Sequence, residues 1–284
     1  MDNEIKLQSD SVEVKKSTLI MAISLIAVFI VGFYLGGIFT TTDGTVTNTG
    51  GDNTGTDSFV VNEALLVSVD DDEVMGNVNA PIRIIEFSDF ECPYCGRFYK
   101  DTTKLFKQAY VDTGKASFTH RDFPLSFHDY AQVAAEASEC AADQGKFWEM
   151  HDMLYEKSIE YSAALQREET PDHPFLPETL KEYAEEIGMD SSFDECLDSG
   201  KYTGEVQADM QEGSSYGVGG TPATFVVFDG QLSGEKLAML DQIAASIAEQ
   251  AGQPLMIVYN GGGVTTVSVS GALPFEFFDS ILSV

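Results

Sequence analysis

The first long apolar pattern in the chain is a block, from Leu19 to Phe39, broken mainly by Ser24 and Tyr34. A helix of about 20 apolar residues crosses a bilayer. Lys15 and Lys16 precede the block, and no further Lys or Arg occurs until Arg83. That asymmetry puts the N-terminus in the cytoplasm and everything after Phe39 outside. A cleaved signal peptide is the competing reading. The block exceeds the usual apolar region of about 7–15 residues, and no small-x-small cleavage site follows it. The pattern therefore predicts a cytoplasmic tail over 1–16 and an uncleaved single-pass anchor over 17–39 in the plasma membrane. Thr40 to Ser58, rich in Thr, Gly, Asn and Asp, reads as a flexible linker.

From Phe59 onward the pattern changes to short runs and helical stripes. Asn79-Ala80-Pro81 leads into Ile82-Arg83-Ile84-Ile85-Glu86-Phe87, a strand, and Ala116 to Arg121 forms a second, ended by Asp122-Phe123-Pro124. From about 128 to 217 the spacing is helical. Val133, Ala134, Ala137, Cys140 and Ala141 share one face, as do Phe147, Met150, His151 and Leu154 on the next helix. Thr170 to Pro177 is a proline-rich loop. Ala223 to Phe228 returns to strand, followed by a helix from about Glu235 to Glu249. Two strands then flank Asn260-Gly261-Gly262-Gly263, a hairpin signal, and a last helix spans about Pro274 to Leu282. The order predicts an α/β domain over 59–284 with a helical insertion at about 128–217.

Charge narrows the function classes. Forty-six acidic residues face 16 basic ones, for a net charge of −30. Nucleic acid is excluded as a partner. The charge is first a solubility device; attraction of cationic substrates is the alternative. The sequence shows no repeat, P-loop, zinc-protease helix or glycosylation sequon. Four cysteines fit one active pair and one structural pair, and an oxidising exterior would preserve both.

The chemistry concentrates at Cys92-Pro93-Tyr94-Cys95, where the first strand passes into a helix. Cys92 falls where unpaired backbone N–H groups and the helix dipole favour a thiolate. Pro93 suits a first helical turn. Cys95, one turn inside, is expected to be the more buried. An inert disulfide or half a zinc site would be the alternatives, but zinc needs two more ligands and neither a second CxxC nor paired histidines exist. The strand–CxxC–helix context points to thiol–disulfide exchange, with Cys92 attacked first and Cys95 resolving the mixed disulfide.

The segment Glu86-Phe87-Ser88-Asp89-Phe90-Glu91-Cys92-Pro93-Tyr94-Cys95 resembles the active-site segment of the DsbA-like thioredoxin-fold proteins, notably the membrane-anchored BdbD-type group. Phe123-Pro124-Leu125, His128 with Ala131, Gln144 to Trp148, and Gly217 to Phe225 match in order. The resemblance covers about Val67 to Phe228 and the terminal helix, and implies a thioredoxin fold with an inserted helical domain. It implies that Thr221-Pro222 is a Thr-cis-Pro element beside the active disulfide, with Thr221, Pro93 and Tyr94 touching substrate and Pro222 part of the catalytic machinery. An ordinary turn proline is the alternative, since cis is about 5–6% of X–Pro bonds. It assigns Glu86 as the buried acid beneath the pair, a proton acceptor for Cys95; a solvated strand-edge carboxylate is the alternative. Exported proteins with free or mispaired cysteines become the substrates. A quinone-linked membrane oxidase, DsbB-like or vitamin K epoxide reductase-like, becomes the regenerating partner. The only cofactor is then the Cys92–Cys95 disulfide, and no metal is expected.

Two departures from that family stand out. Tyr94 occupies a position where the DsbA enzymes carry His, and Asp89 and Glu91 place negative charge near Cys92, which opposes a thiolate. The stretch of about 232–261 reads as an extra helix–strand insertion without an assigned role. Oxidase is the favoured direction, with isomerase, reductase or a tethered binding module as alternatives. Cys140 and Cys196 each share a face with apolar residues. A structural disulfide between them would contribute about 4 kcal/mol by the chain-entropy model, the alternative being a second redox relay. The histidines are weak signals: His151 reads as a core residue, His128 as a helix start, and His173 as part of a solvated loop. The acidic run from Asp70 to Glu73 lacks an EF-hand pattern.

Overall fold

The computed structural model describes residues 58–284. The expected tail, anchor and nearly all of the linker lie outside the described residues. Among the described residues no helix is long and apolar enough to cross a membrane.

Seven strands form one mixed sheet: β1 (Val60–Val61), β2 (Val74–Gly76), β3 (Ile82–Ser88), β4 (Ala116–Asp122), β5 (Ala223–Phe228), β6 (Met256–Gly261) and β7 (Val264–Ser270), in the order β1-β6-β7-β5-β3-β4-β2. β3 is central, parallel to β4 and antiparallel to β5. Its residues from Ile84 to Ser88 are all buried, because helices cover one face and loops with a helix end cover the other. An internal strand covered on both faces loses the apolar–polar alternation, so even Glu86 lies inside.

One helical segment follows β3. It begins as α1 (Pro93–Phe98) and continues through the wider turns of Tyr99–Thr103 and Lys107–Val111. The helical block comprises α2 (Ala131–Ala142), α3 (Phe147–Gln166), α4 (Pro177–Glu186), α5 (Ser192–Ser199) and α6 (Thr203–Ser215). After β5 come α7 (Gly234–Ala251), the β6–β7 hairpin and α8 (Phe275–Leu282).

Three cores result. Phe98 and Phe106, with Leu240 of α7 and Phe278 of α8, pack on one sheet face against Ile84 and Val226. Phe87 and Phe225 form the other face with Phe123 and Val218. Gly213 of α6 abuts that face so closely that a Cβ there would stand 2.8 Å from Phe87. The helical block has its own core, and Phe90, Cys92, Cys95 and Tyr99 belong to it. The CxxC therefore lies at the seam between sheet and helical block.

The 232–261 stretch is integral to the sheet domain. Leu240 and Ala244 of α7 are fully buried, and β6 pairs with both β1 and β7. The hairpin turns at Gly262-Gly263, both at positive φ, one residue beyond the Asn-Gly pair. Gly261 is in the strand instead, paired with Val264, where a Cβ would stand 2.6 Å from the backbone of Glu63.

Candidate active site

Cys92 is the residue just before α1, with extended backbone angles, and Pro93 takes the first helical position. Both cysteines are free thiols. Cys95 is wholly buried, as its place one turn inside the helix implies, but Cys92 is also only 2% exposed. The loop ahead of β5 covers it: Cys92 Sγ lies 3.7 Å from the Thr221 carbonyl oxygen, which accepts from the sulfur in its neutral thiol form. The Thr221-Pro222 bond is cis. Tyr94 is 40% exposed and carries the Arg97 guanidinium over its ring at 5.2 Å. Pro93, Tyr94 and Thr221 thus surround the pair, with Pro93 and Tyr94 reaching the outer surface.

The two thiols are electrostatically unequal. The Cys95 thiol donates to Cys92, and, against burial, the Cys95 backbone N–H, the Thr221 side chain and the Tyr94 N–H help hold Cys92 down at about 6. Burial, the Cys92 sulfur and Glu86 drive Cys95 well above the ordinary thiol value. Cys92 is therefore a thiolate at neutral pH and Cys95 a thiol. Asp89 and Glu91, expected to oppose the thiolate, are both bound to other partners, and the hydrogen bonds to Cys92 hold its pKa down. Asp89 accepts from the backbone N–H groups of Glu91 and Leu125, each at 2.8 Å, and from His128 Nδ1 at 2.7 Å. Glu91 accepts from the Tyr130 N–H at 2.8 Å and pairs with His173 Nε2 at 3.3 Å.

Glu86 is 1% exposed. Burial pushes its carboxyl up to about 8, against hydrogen bonds from Ser88 and Thr103. Tyr155 Oη donates to Ser88 Oγ at 2.7 Å, and Ser88 Oγ donates to Glu86 Oε1 at 2.7 Å. The same Ser88 hydroxyl can instead donate to the Cys95 sulfur, which acts against the rise in the Cys95 pKa. The single Ser88 hydroxyl thus stands between the buried sulfur and a carboxyl raised to about 8.

Sequence reasoning missed Ser88 and Tyr155. It also undervalued two histidines. His128 precedes α2 in a turn and is tied to Asp89, while His173 stacks on Tyr130 with ring centroids 4.3 Å apart rather than standing in solvent. His120 and His151 are buried, and burial holds them down at about 3 and 4, so both are neutral core residues. One member of the acidic run, Asp72, turns inward: Arg121 pairs with it at 2.8 Å, and also with Glu212 at 2.6 Å and with Asp209. Among the described residues no group of three His, Cys, Asp or Glu could hold a metal ion. Cys140 and Cys196 form a disulfide joining α2 to α5, with Cα atoms 5.8 Å apart.

The family model described as Thioredoxin matches residues 68–240, more than half of the chain. The chain belongs to the thioredoxin family. Its fold is DsbA-like: the crystal structure of Wolbachia pipientis α-DsbA1 superposes with a TM-score of 0.55 at 19% identity, covering 77% of this chain and 92% of that one. In sequence, the Na(+)/H(+) antiporter NhaA 3 of Salinispora tropica is 35% identical over 174 residues, 61% of this chain but 24% of that protein. The aligned part of this thioredoxin-family chain thus spans about a quarter of that relative. The probable disulfide bond formation protein D of Bacillus anthracis is 28% identical over 154 residues, covering 54% of this chain and 68% of that protein.

Proposed function

We propose that this protein is a thiol–disulfide oxidoreductase acting through Cys92 and Cys95, tethered by residues 17–39 with its catalytic domain outside the cell. The carrying observation is the asymmetry of the pair. One sulfur sits at the helix start beside the cis-Pro222 loop, and the other is sealed beneath it over Glu86. In the oxidised protein a substrate thiolate attacks Cys92 Sγ, the Cys92–Cys95 bond breaks, and Cys95 leaves with the electron pair. Glu86, titrating at about 8, supplies the proton to Cys95 through Ser88. A second substrate thiolate then attacks the substrate sulfur of the mixed disulfide. The substrate leaves as a disulfide and Cys92 leaves as a thiolate. Reversing the proton path lets Cys95 attack the mixed disulfide when the substrate is to be released unchanged.

A Cys92 thiolate stable at neutral pH stabilises the reduced pair, which makes the disulfide a better oxidant. That favours oxidation of exported proteins over reduction. A membrane quinone-linked oxidase, DsbB-like or vitamin K epoxide reductase-like, is the regenerating partner that suits this direction. The Bacillus anthracis relative's name, disulfide bond formation protein, accords with it.

The test is trapping. Cys95→Ala should accumulate mixed disulfides linking Cys92 to exported proteins, and Cys92→Ala should not. The absence of any adduct would count against exchange and for a binding module. Equilibration of the wild-type pair with glutathione decides direction: a strongly reducing value would sink the oxidase reading.

A further inference from the structure

The two acids just ahead of Cys92 in sequence each hold a histidine from outside the CxxC segment. Asp89 has no solvent-exposed side-chain surface, and three hydrogen bonds fix it. The backbone N–H of Cys92 in turn donates to the Asp89 carbonyl oxygen at 3.1 Å. His128 is thus locked to the same turn that presents the attacking sulfur. A cleft of about 300 Å³ opens beside that turn, and Glu91, Pro93, His128 and His173 are among the residues that line it. His128 keeps 15% of its side-chain surface exposed, with the exposed ring of Phe127 edge-on to it at 4.5 Å.

We propose that His128, oriented by Asp89, is the positioning cation of this active site: its imidazolium supports the Cys92 thiolate and so sets the redox poise. The charges facing it fit that role. Burial opposes its charged form, but the Asp89 hydrogen bond and charge, with Cys92 and Glu91 behind them, raise its pKa above the ordinary histidine value. His173, across the cleft, is held down by burial although Glu91 and Asp129 pull it up, and His128 repels it. Of the two imidazoles, the one shifted toward its charged form is the one bound to the turn of Cys92. A cation stabilises a nearby thiolate through Coulomb attraction, which is strong in a partly desolvated site. The inference deepens the proposed thiol exchange and rests on that reading for its redox consequence, but its electrostatic core does not.

The experiment titrates wild-type protein by NMR of the histidine rings, with the Cys92–Cys95 pair reduced and then oxidised. Coupling is reciprocal, so the His128 pKa should be higher in the reduced protein, where the thiolate is present, by about half a unit or more. An equal pKa in both states overturns the proposal. Thiolate absorbance then follows Cys92 in two variants. His128→Gln retains a donor for Asp89 but no charge, and should lower the thiolate–thiol ratio at pH 6 about threefold, the equivalent of half a pKa unit. His128→Arg, which restores a cation, should recover it. Equal loss in both variants, or no loss in either, assigns His128 a purely structural role. These readouts need no substrate. Failure of the Cys95→Ala trap with the pKa difference intact would overturn the exchange reading and leave the His128 coupling standing.

Discussion

At the scale of single residues, the site works by giving similar groups different surroundings. Cys92 and Cys95 lie one helical turn apart, yet one is stabilised as an anion and the other as a neutral thiol. Glu86 shows the energetic cost of such an arrangement. Its pKa is raised by burial to about 8, above an unfolded value near 4.3. A carboxyl raised in the folded state destabilises nothing while it is protonated in both states. Between pH 4.3 and 8 the unfolded chain ionises and the native one does not, so stability falls as pH rises. Glu86→Gln removes this penalty. It should be close to neutral in urea unfolding at pH 4.5 and stabilising at pH 8, by an amount on the order of a few kcal/mol. It should also slow release of the mixed disulfide by Cys95, because the amide cannot accept the proton. A gain in stability independent of pH would mean that Glu86 is already ionised at neutral pH.

At the scale of elements, legibility followed the range of the determining contact. The strand Ile82 to Phe87, the CxxC at its end, the helical stripes containing Cys140 and Phe147, and the glycine hairpin are all local patterns. The structure contains an element at each. Two-residue β1 carries no pattern of its own and exists because β6 offers it an edge. Glu86 follows the same logic: its burial comes from β4 and β5 on either side and from layers on both faces. The partners of Asp89 and Glu91 carry no local signal, because His128 and His173 lie 39 and 82 positions onward in sequence and meet them only through folding.

The disulfide belongs to this scale too. It ties α2 to α5 across the core of the helical block, whose Ala-rich α2 buries little side-chain area of its own. Closing a loop with sequence separation 56 is worth about 4 kcal/mol in the chain-entropy model, less any native strain. Replacing both Cys140 and Cys196 by Ala should lower the unfolding free energy by up to about that amount. Reduced Cys92–Cys95 should still equilibrate with glutathione in the folded variant. Loss of exchange while the fold persists would instead assign the pair a place in an electron relay.

At the scale of the whole molecule, the acidity extends inward. Burial raises Asp72 to about 9, Asp122 to about 7, Glu139 to about 11 and Asp209 to about 6, as it does Glu86. Arg121 lies among them, paired with Asp72 and Asp209, and a single guanidinium does not neutralise the group. Each of these carboxyls lowers stability as pH rises from its unfolded value to its folded one. His120 and His151 act in the opposite sense. Held down by burial to about 3 and 4, they lower stability as pH falls below about 6.5, where the unfolded chain takes up the proton. The two sets oppose each other between about pH 4 and 6.5. Above that His120 and His151 are neutral in both states, and Asp72, Glu86 and Glu139, with Asp122 up to about 7, continue to act. Urea midpoints should therefore fall from pH 6.5 to 7.5 to 8.5. The measurement belongs in the oxidised protein, where the Cys92 thiol cannot titrate and offset the trend. Added salt separates buried from surface charge. Screening the self-repulsion of a −30 chain should raise the midpoint at all three pH values. The decline with pH should persist, because buried groups are screened far less. A midpoint that rises with pH would refute the buried, proton-holding cluster, and a slope abolished by salt would place its charges at the surface.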